Sequence, residues 1–299
     1  MNNTWHVEFP YNMVQGGAYL VVFVVGLLLN IAALRAIITK RAEWTGTHIY
    51  MLNLSVADCA LVLFLPFRIY DAFSRLEKSI FCTLLISTHY VNMYTSIFTV
   101  TAISIHRYLA VKFPFRSSKL MSKKVAVVVC VIIWISVLVL SIMFCINNEP
   151  DQLRSCFERS TQMPVGLVVV LLVLGYTVPL VGILFCSIQT IMVLRKEKNE
   201  EDTTLLKKNI VGIITANLIV FVICFTPIHI GFLLRHLFPN PAGCTWLAKF
   251  VHDFWLVSEW IATTNCFLDS ISYYFLLKKF YSKINRSAND NMLTGLSTI

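Results

Sequence analysis

The chain has 299 residues, 57% of them hydrophobic and 14% charged, with a formal net charge of +9 and a mean hydropathy of +0.70. This composition excludes a soluble globular domain and a disordered chain, and points to a membrane protein. The positive charge is no nucleic-acid signal, because it gathers in one set of loops, where anionic inner-leaflet lipid accounts for it.

Seven apolar stretches follow in order, over about residues 18–39, 47–73, 79–112, 122–146, 163–196, 204–237 and 247–276, each read as exceeding the roughly 20 residues that cross a bilayer. Backbone amides must be satisfied internally there, so the stretches are helices. The predicted fold is an all-α membrane protein, a seven-transmembrane helix bundle. Residues 1–17 form an extracellular N-terminus and 18–276 the bundle; 277–299 form a short cytoplasmic amphipathic helix 8 and a tail. The polar residues Asn2, Asn3, His6 and Glu8 precede a first span without the charged flank or cleavage site of a signal peptide, so that span is kept. Lys40, Arg41, Lys112, Arg116, Lys123, Lys124, Arg195, Lys196, Lys207, Lys208, Lys278 and Lys279 lie on one side, and few basic residues, among them Arg75 and Lys78, on the other. The N-terminus is therefore expected outside and the C-terminus in the cytosol of a multi-pass plasma-membrane protein. Asn2 heads an exposed glycosylation sequon with Thr4.

Single polar residues interrupt the spans: Asn30 in the first, Asp58 in the second, Arg107 at the end of the third, Asn265 and Asp269 in the last. A carboxylate at mid-bilayer depth costs roughly 2.5–3.5 kcal/mol on insertion scales unless it faces a polar interior. Such residues read as working parts. His89, Asn92, Met93 and Ser96 share one face of the third span. With Arg68, Arg154, Arg159, His229, Arg235 and Trp255 they outline a basic funnel with aromatic walls. That chemistry suits a carboxylate or phosphate on an apolar or aromatic body. The plainer alternative is that exposed arginines contact lipid headgroups or nearby acids such as Asp71, Glu149 and Glu158. Glu259 carries the wrong sign for such a funnel.

Asn30, Asp58, Arg107 before Tyr108, Trp134, Pro179, Pro227 in Cys224-Phe225-Thr226-Pro227, and Tyr273 provide one landmark per span. Together they make the chain resemble the class A (rhodopsin-like) G-protein-coupled receptors over about residues 18–286. Three departures narrow the resemblance: His106 replaces the usual acid before the arginine, Phe225 the usual tryptophan, and the stretch from Asp269 to Tyr273 lacks proline. They look like the small branch of the orphan-series receptors thirty-five and fifty-five, near the lysophospholipid and purinergic receptors.

The resemblance implies a sodium pocket of Asp58, Ser96, Asn265 and Asp269. Two carboxylates meeting there repel unless a cation or proton sits between them; a protonated structural cluster is the alternative. It also implies a connector of Ile97, Pro179 and Phe221, a helix 6 lever at Phe225 and Pro227, and a cytoplasmic switch of His106, Arg107, Tyr108 and Tyr273 that engages a heterotrimeric G protein. In the family's architecture the second and seventh helices are neighbours, which would let Arg68 pair with Glu259. Compartment and family position pair Cys82 with Cys156; Cys145 could compete, and Cys244 has no evident partner. The expected ligand is an anionic small molecule or lysophospholipid, with no cofactor beyond a modulating sodium ion. No nucleophile motif or zinc-binding His-Glu-x-x-His occurs, so an enzyme is disfavoured. A transporter or ion pathway is the serious rival, against which stands the lack of an inverted repeat. A binding-only scavenger would not need Arg107-Tyr108.

Overall fold

The computed structural model describes residues 9–39, 44–74, 76–113, 122–146, 153–159, 163–196, 201–238 and 245–271. Asn2, Cys244, Tyr273 and the expected helix 8 lie outside them, as do the side chains of Arg154, Arg159, Lys207 and Lys208. Seven long helices appear in the expected order: α1 (Phe9–Thr39), α2 (Gly46–Ser74), α3 (Ile80–Lys112), α4 (Lys123–Ile146), α5 (Val165–Lys196), α6 (Glu201–Leu237) and α7 (Thr245–Thr263). Between α4 and α5 a two-stranded antiparallel hairpin pairs β1 (Leu153–Ser155) with β2 (Glu158–Arg159).

Among the described residues five helices are long and apolar enough to cross a membrane, namely α1, α2, α4, α5 and α6. The expectation that all seven spans would meet that apolar standard is thus corrected for α3 and α7. The reason is position in the bundle. Ser87, His89, Asn92, Thr95, Ser96 and Thr99 of α3 are buried, and α3 packs against α2, α4 and α5. A helix wrapped by other helices need not be apolar all round. By contrast, α4 exposes Val128, Val131, Ile135 and Val139, an apolar face suited to lipid.

Polar side chains fasten neighbouring helices. Asn30 of α1 donates from Nδ2 to the Cys266 carbonyl at 2.8 Å, and its Oδ1 accepts the Ser270 hydroxyl at 2.8 Å. Trp134 of α4 donates to Asn53 Oδ1 at 2.7 Å, and Asn53 Nδ2 donates to Thr99 Oγ1 at 2.8 Å. These bonds tie α1 to the stretch after α7, and α2 to α3 and α4. Hydrogen bonds between such groups satisfy polar atoms that lipid cannot.

Two irregularities set the site. In α5 a π-helical turn, Val173–Thr177, replaces α-helix two residues before Pro179. Within it Gly175 lies so close to α3 that an added Cβ would come 2.6 Å from the Tyr94 ring. The turn brings Tyr176 onto α6. After α7, Thr264 breaks the helix before it resumes over 265–271. Its hydroxyl donates to the Ile261 carbonyl at 2.6 Å. A hydroxyl that bonds its own backbone can break a helix where no proline stands.

Candidate functional site

The disulfide between Cys82 and Cys156 is formed, with Cα atoms 5.2 Å apart. It pins the hairpin to the first turn of α3. Cys145 is not oxidised; its sulfur lies 2.9 Å from the Ser87 hydroxyl.

Beneath the hairpin, Arg68 of α2 forms an ion pair with Glu259 of α7 at 2.5 Å. Both side chains are buried. The Phe157 ring, from the hairpin turn, lies 4.1 Å from the guanidinium carbon, and the Tyr19 ring of α1 lies 5.0 Å from it. His89 of α3 is within electrostatic reach of both charges, and among the described residues its Nε2 has no hydrogen-bond partner. Three helices and the loop thus meet on one buried pair of charges.

Beside it runs an aromatic shaft. Tyr176 of α5 stacks on His229 of α6 at 4.4 Å between ring centres, and on Phe221 at 6.0 Å. Its hydroxyl lies 2.6 Å from the Thr226 hydroxyl. His229 Nδ1 is 2.6 Å from the Phe225 carbonyl, which only accepts, so Nδ1–H donates. In the neutral ring Nε2 then accepts from the Tyr94 hydroxyl at 3.3 Å. Phe232 continues the shaft, packing edge-on against Trp255 of α7 at 5.1 Å. At its hairpin end the half-buried Arg235 lies over the Trp255 ring, 4.7 Å from the centroid. Among the described residues Arg235 has no carboxylate partner.

Ile97, Phe221 and Phe225 join one buried apolar cluster, with Phe225 edge-on to Phe221 at 5.2 Å. Met93 is also buried in that cluster rather than lining an open funnel. Asn92, read as a ligand residue, donates from Nδ2 to Asp58 Oδ1 at 2.8 Å. The helical period put Asn92 on the His89 face, yet its short amide reaches the neighbouring α2 carboxylate instead.

Asp58, Asn92, Ser96, Asn265 and Asp269 are buried. Asp58 and Asp269 lie close enough for their charges to interact. Among the described residues, Asp58 Oδ2, Asp269 Oδ2 and Ser96 Oγ have no hydrogen-bond partner. Two carboxylate oxygens and a hydroxyl without donors form the oxygen set that a hard cation takes, so these residues fit a sodium ion. At the other end of α3, His106 is buried, with its ring edge-on to Tyr50 of α2 at 5.7 Å. Tyr108 packs on Phe185 of α5 at 5.8 Å.

Several of these residues escape a reading of the sequence. Phe221, Phe225, His229 and Phe232 fall at helical spacing, so that wall is findable by period. Tyr176 is not, because the π turn shifts its register. Tyr19 and Phe157 carry no local signal.

The profile of the family described as "7 transmembrane receptor (rhodopsin family)" matches residues 29–273. G-protein coupled receptor 55 of Mus musculus is 32% identical over 290 residues, covering 90% of this chain and 88% of that protein. G-protein coupled receptor 35 of Homo sapiens is 34% identical over 268 residues, covering 88% and 84%. Lysophosphatidic acid receptor 6 of Gallus gallus is 32% identical over 284 residues, covering 90% and 91%.

Proposed function

Because the chain belongs to the rhodopsin family of seven-transmembrane receptors, we propose that it binds an acidic extracellular molecule at its hairpin end and activates a heterotrimeric G protein at the other. The observation that carries the ligand class is Arg235. A guanidinium stacked on Trp255, without a carboxylate partner among the described residues, is ready for an incoming anion. The aromatic shaft beside it suits an apolar or aromatic body. A lysophospholipid or a small aromatic acid has both parts, and some relatives are named as lysophosphatidic acid receptors. The relatives are named as receptors rather than enzymes. The disulfide at the hairpin end favours that face being outside, since disulfides persist in oxidising compartments. Arg154 and Arg159 belong to the same loop and are candidates for guiding the ligand inward.

The test is nucleotide exchange. Purified receptor in lipid particles should accelerate exchange on a heterotrimeric G protein when oleoyl lysophosphatidic acid or a small aromatic acid is added. Absence of exchange across a panel of acids, together with ion flux in proteoliposomes, would support the transporter reading instead.

Two further outcomes follow from the buried polar groups. Sodium at Asp58 and Asp269 would bridge α2 and the stretch after α7 and hold one packing, so sodium should lower agonist affinity. Asp58→Asn should remove that sensitivity. Agonist binding that is equal in sodium and in choline would leave the cluster with a structural role only. On the cytoplasmic side, the residue before Arg107 is His106, where a carboxylate would add an ion pair to the lock formed by whatever else restrains the arginine. A lock weaker by about 1.4 kcal/mol raises a minor active state roughly tenfold. Basal signalling should therefore be measurable, and His106→Asp should reduce it at matched surface expression while agonist response persists. A silent wild type that His106→Asp leaves unchanged would end the weak-lock idea.

A further inference from the structure

Arg68 and Arg235 are both guanidiniums near the hairpin end, yet their surroundings differ in one decisive way. Arg235 lies half-buried on Trp255 with no carboxylate partner among the described residues. Arg68 is buried and already holds a carboxylate, that of Glu259. The Phe157 ring covers the guanidinium, and the Tyr19 ring lies on it as well. The arrangement is that of an anion-binding seat whose occupant is part of the protein.

We propose that Glu259 is a specificity-determining residue: an internal carboxylate that fills the anion seat at Arg68 and so directs the acidic head of a ligand to Arg235. The proposal deepens the acidic-ligand reading and rests on it, but the seat can be tested without any signalling. An external carboxylate or phosphate arriving at Arg68 would gain the contacts that Glu259 loses. Glu259 would then be left buried without a partner, which is strongly unfavourable. The internal carboxylate also competes at high effective concentration, because the fold holds it in place. Exchange therefore does not favour the external anion while Glu259 is present. Once the carboxylate is removed, the balance reverses: Arg68 becomes the stranded charge, in a seat shaped for a carboxylate.

The experiment is chemical rescue read by thermal melting of the purified receptor. Wild type, Glu259→Ala and the double variant Arg68→Ala/Glu259→Ala are melted in choline chloride, choline propionate or propionamide at matched ionic strength. Choline keeps the sodium pocket out of the measurement. Glu259→Ala should melt below wild type, and propionate should raise its midpoint in a saturable way, as mass action requires of a ligand that binds only the folded state. Uncharged propionamide should not, and wild type and the double variant should gain no more than the small shift that Arg235 alone allows. If the alanine variant yields no folded protein, Glu259→Gln, which keeps a hydrogen-bond acceptor at that position, carries the same comparison with phenyl phosphate. No rescue, or rescue that persists without Arg68, overturns the proposal. Failure of acid-stimulated nucleotide exchange in the wild type would strike the receptor reading alone and leave the melting result standing.

Discussion

Arg68→Met on its own should destabilise the protein by about 3–5 kcal/mol, the usual cost of removing one partner of a buried ion pair. The cost arises from what is left behind. Glu259 is buried on α7, and water cannot reach it to replace the guanidinium. The same change removes the ring contacts of Phe157 and Tyr19 with the cation, so the loop end and α1 lose an anchor as well. The double variant Arg68→Met/Glu259→Leu should behave quite differently. It removes both charges together and replaces them with apolar side chains of similar bulk, a change that is often close to neutral. Melting midpoints and surface expression of the two single variants and the double form a mutant cycle, and a large favourable coupling is expected for residues in direct contact. Lys78→Met, at an exposed site short of α3, serves as the control and should stay within about 0.5 kcal/mol of wild type. A single Arg68→Met variant as stable as that control would mean that the pair is not held as described.

The sequence carried the architecture because its main signals are local or periodic. Apolar length announces a span. One polar landmark per span did the rest, and Asn30 and Trp134 do bond across helices as working parts should. The third and seventh spans were harder, because a helix that faces other helices is under no pressure to be apolar. Pairings between helices were legible only where an architecture was already assumed; Arg68 and Glu259 are 191 residues apart. Asn92 shows the limit of helical period. Sharing a face with His89 by spacing did not fix which neighbour its amide would reach, and the carboxylate of Asp58 decided that. The contribution of Tyr176 was hidden for a different reason. A π turn adds one residue to a helical repeat, so every residue beyond it is displaced from the face that a 3.6-residue period assigns.

Arg235→Ala should weaken the response to an acidic agonist about ten- to a hundredfold, without lowering surface expression. The range follows from the loss of a charge-assisted hydrogen bond to an anion, roughly 1.5–3 kcal/mol. Expression should hold because Arg235 is half-buried near the end of α6 and, among the described residues, has no carboxylate that its removal would strand. This is the opposite of Arg68, and the contrast separates a residue that reads a ligand from one that holds the fold. Arg235→Lys retains the charge but loses the planar group that lies over Trp255, so its effect should fall between wild type and alanine. Trp255→Leu should produce a smaller shift than Arg235→Ala, since a cation–π contact at a partly exposed site is worth about 0.5–1 kcal/mol. The measurement is a concentration–response series with oleoyl lysophosphatidic acid and, as the uncharged reference, oleoyl glycerol. If the two probes are equally potent on wild type, or if Arg235→Ala leaves the acidic probe unchanged, the guanidinium at the end of the aromatic shaft does not read an anion. A large shift confined to the acidic probe would fix the polarity of the ligand at this end of the shaft: head on Arg235, apolar body directed inward along Trp255, Phe232, His229 and Tyr176 toward the Phe221–Phe225 pair.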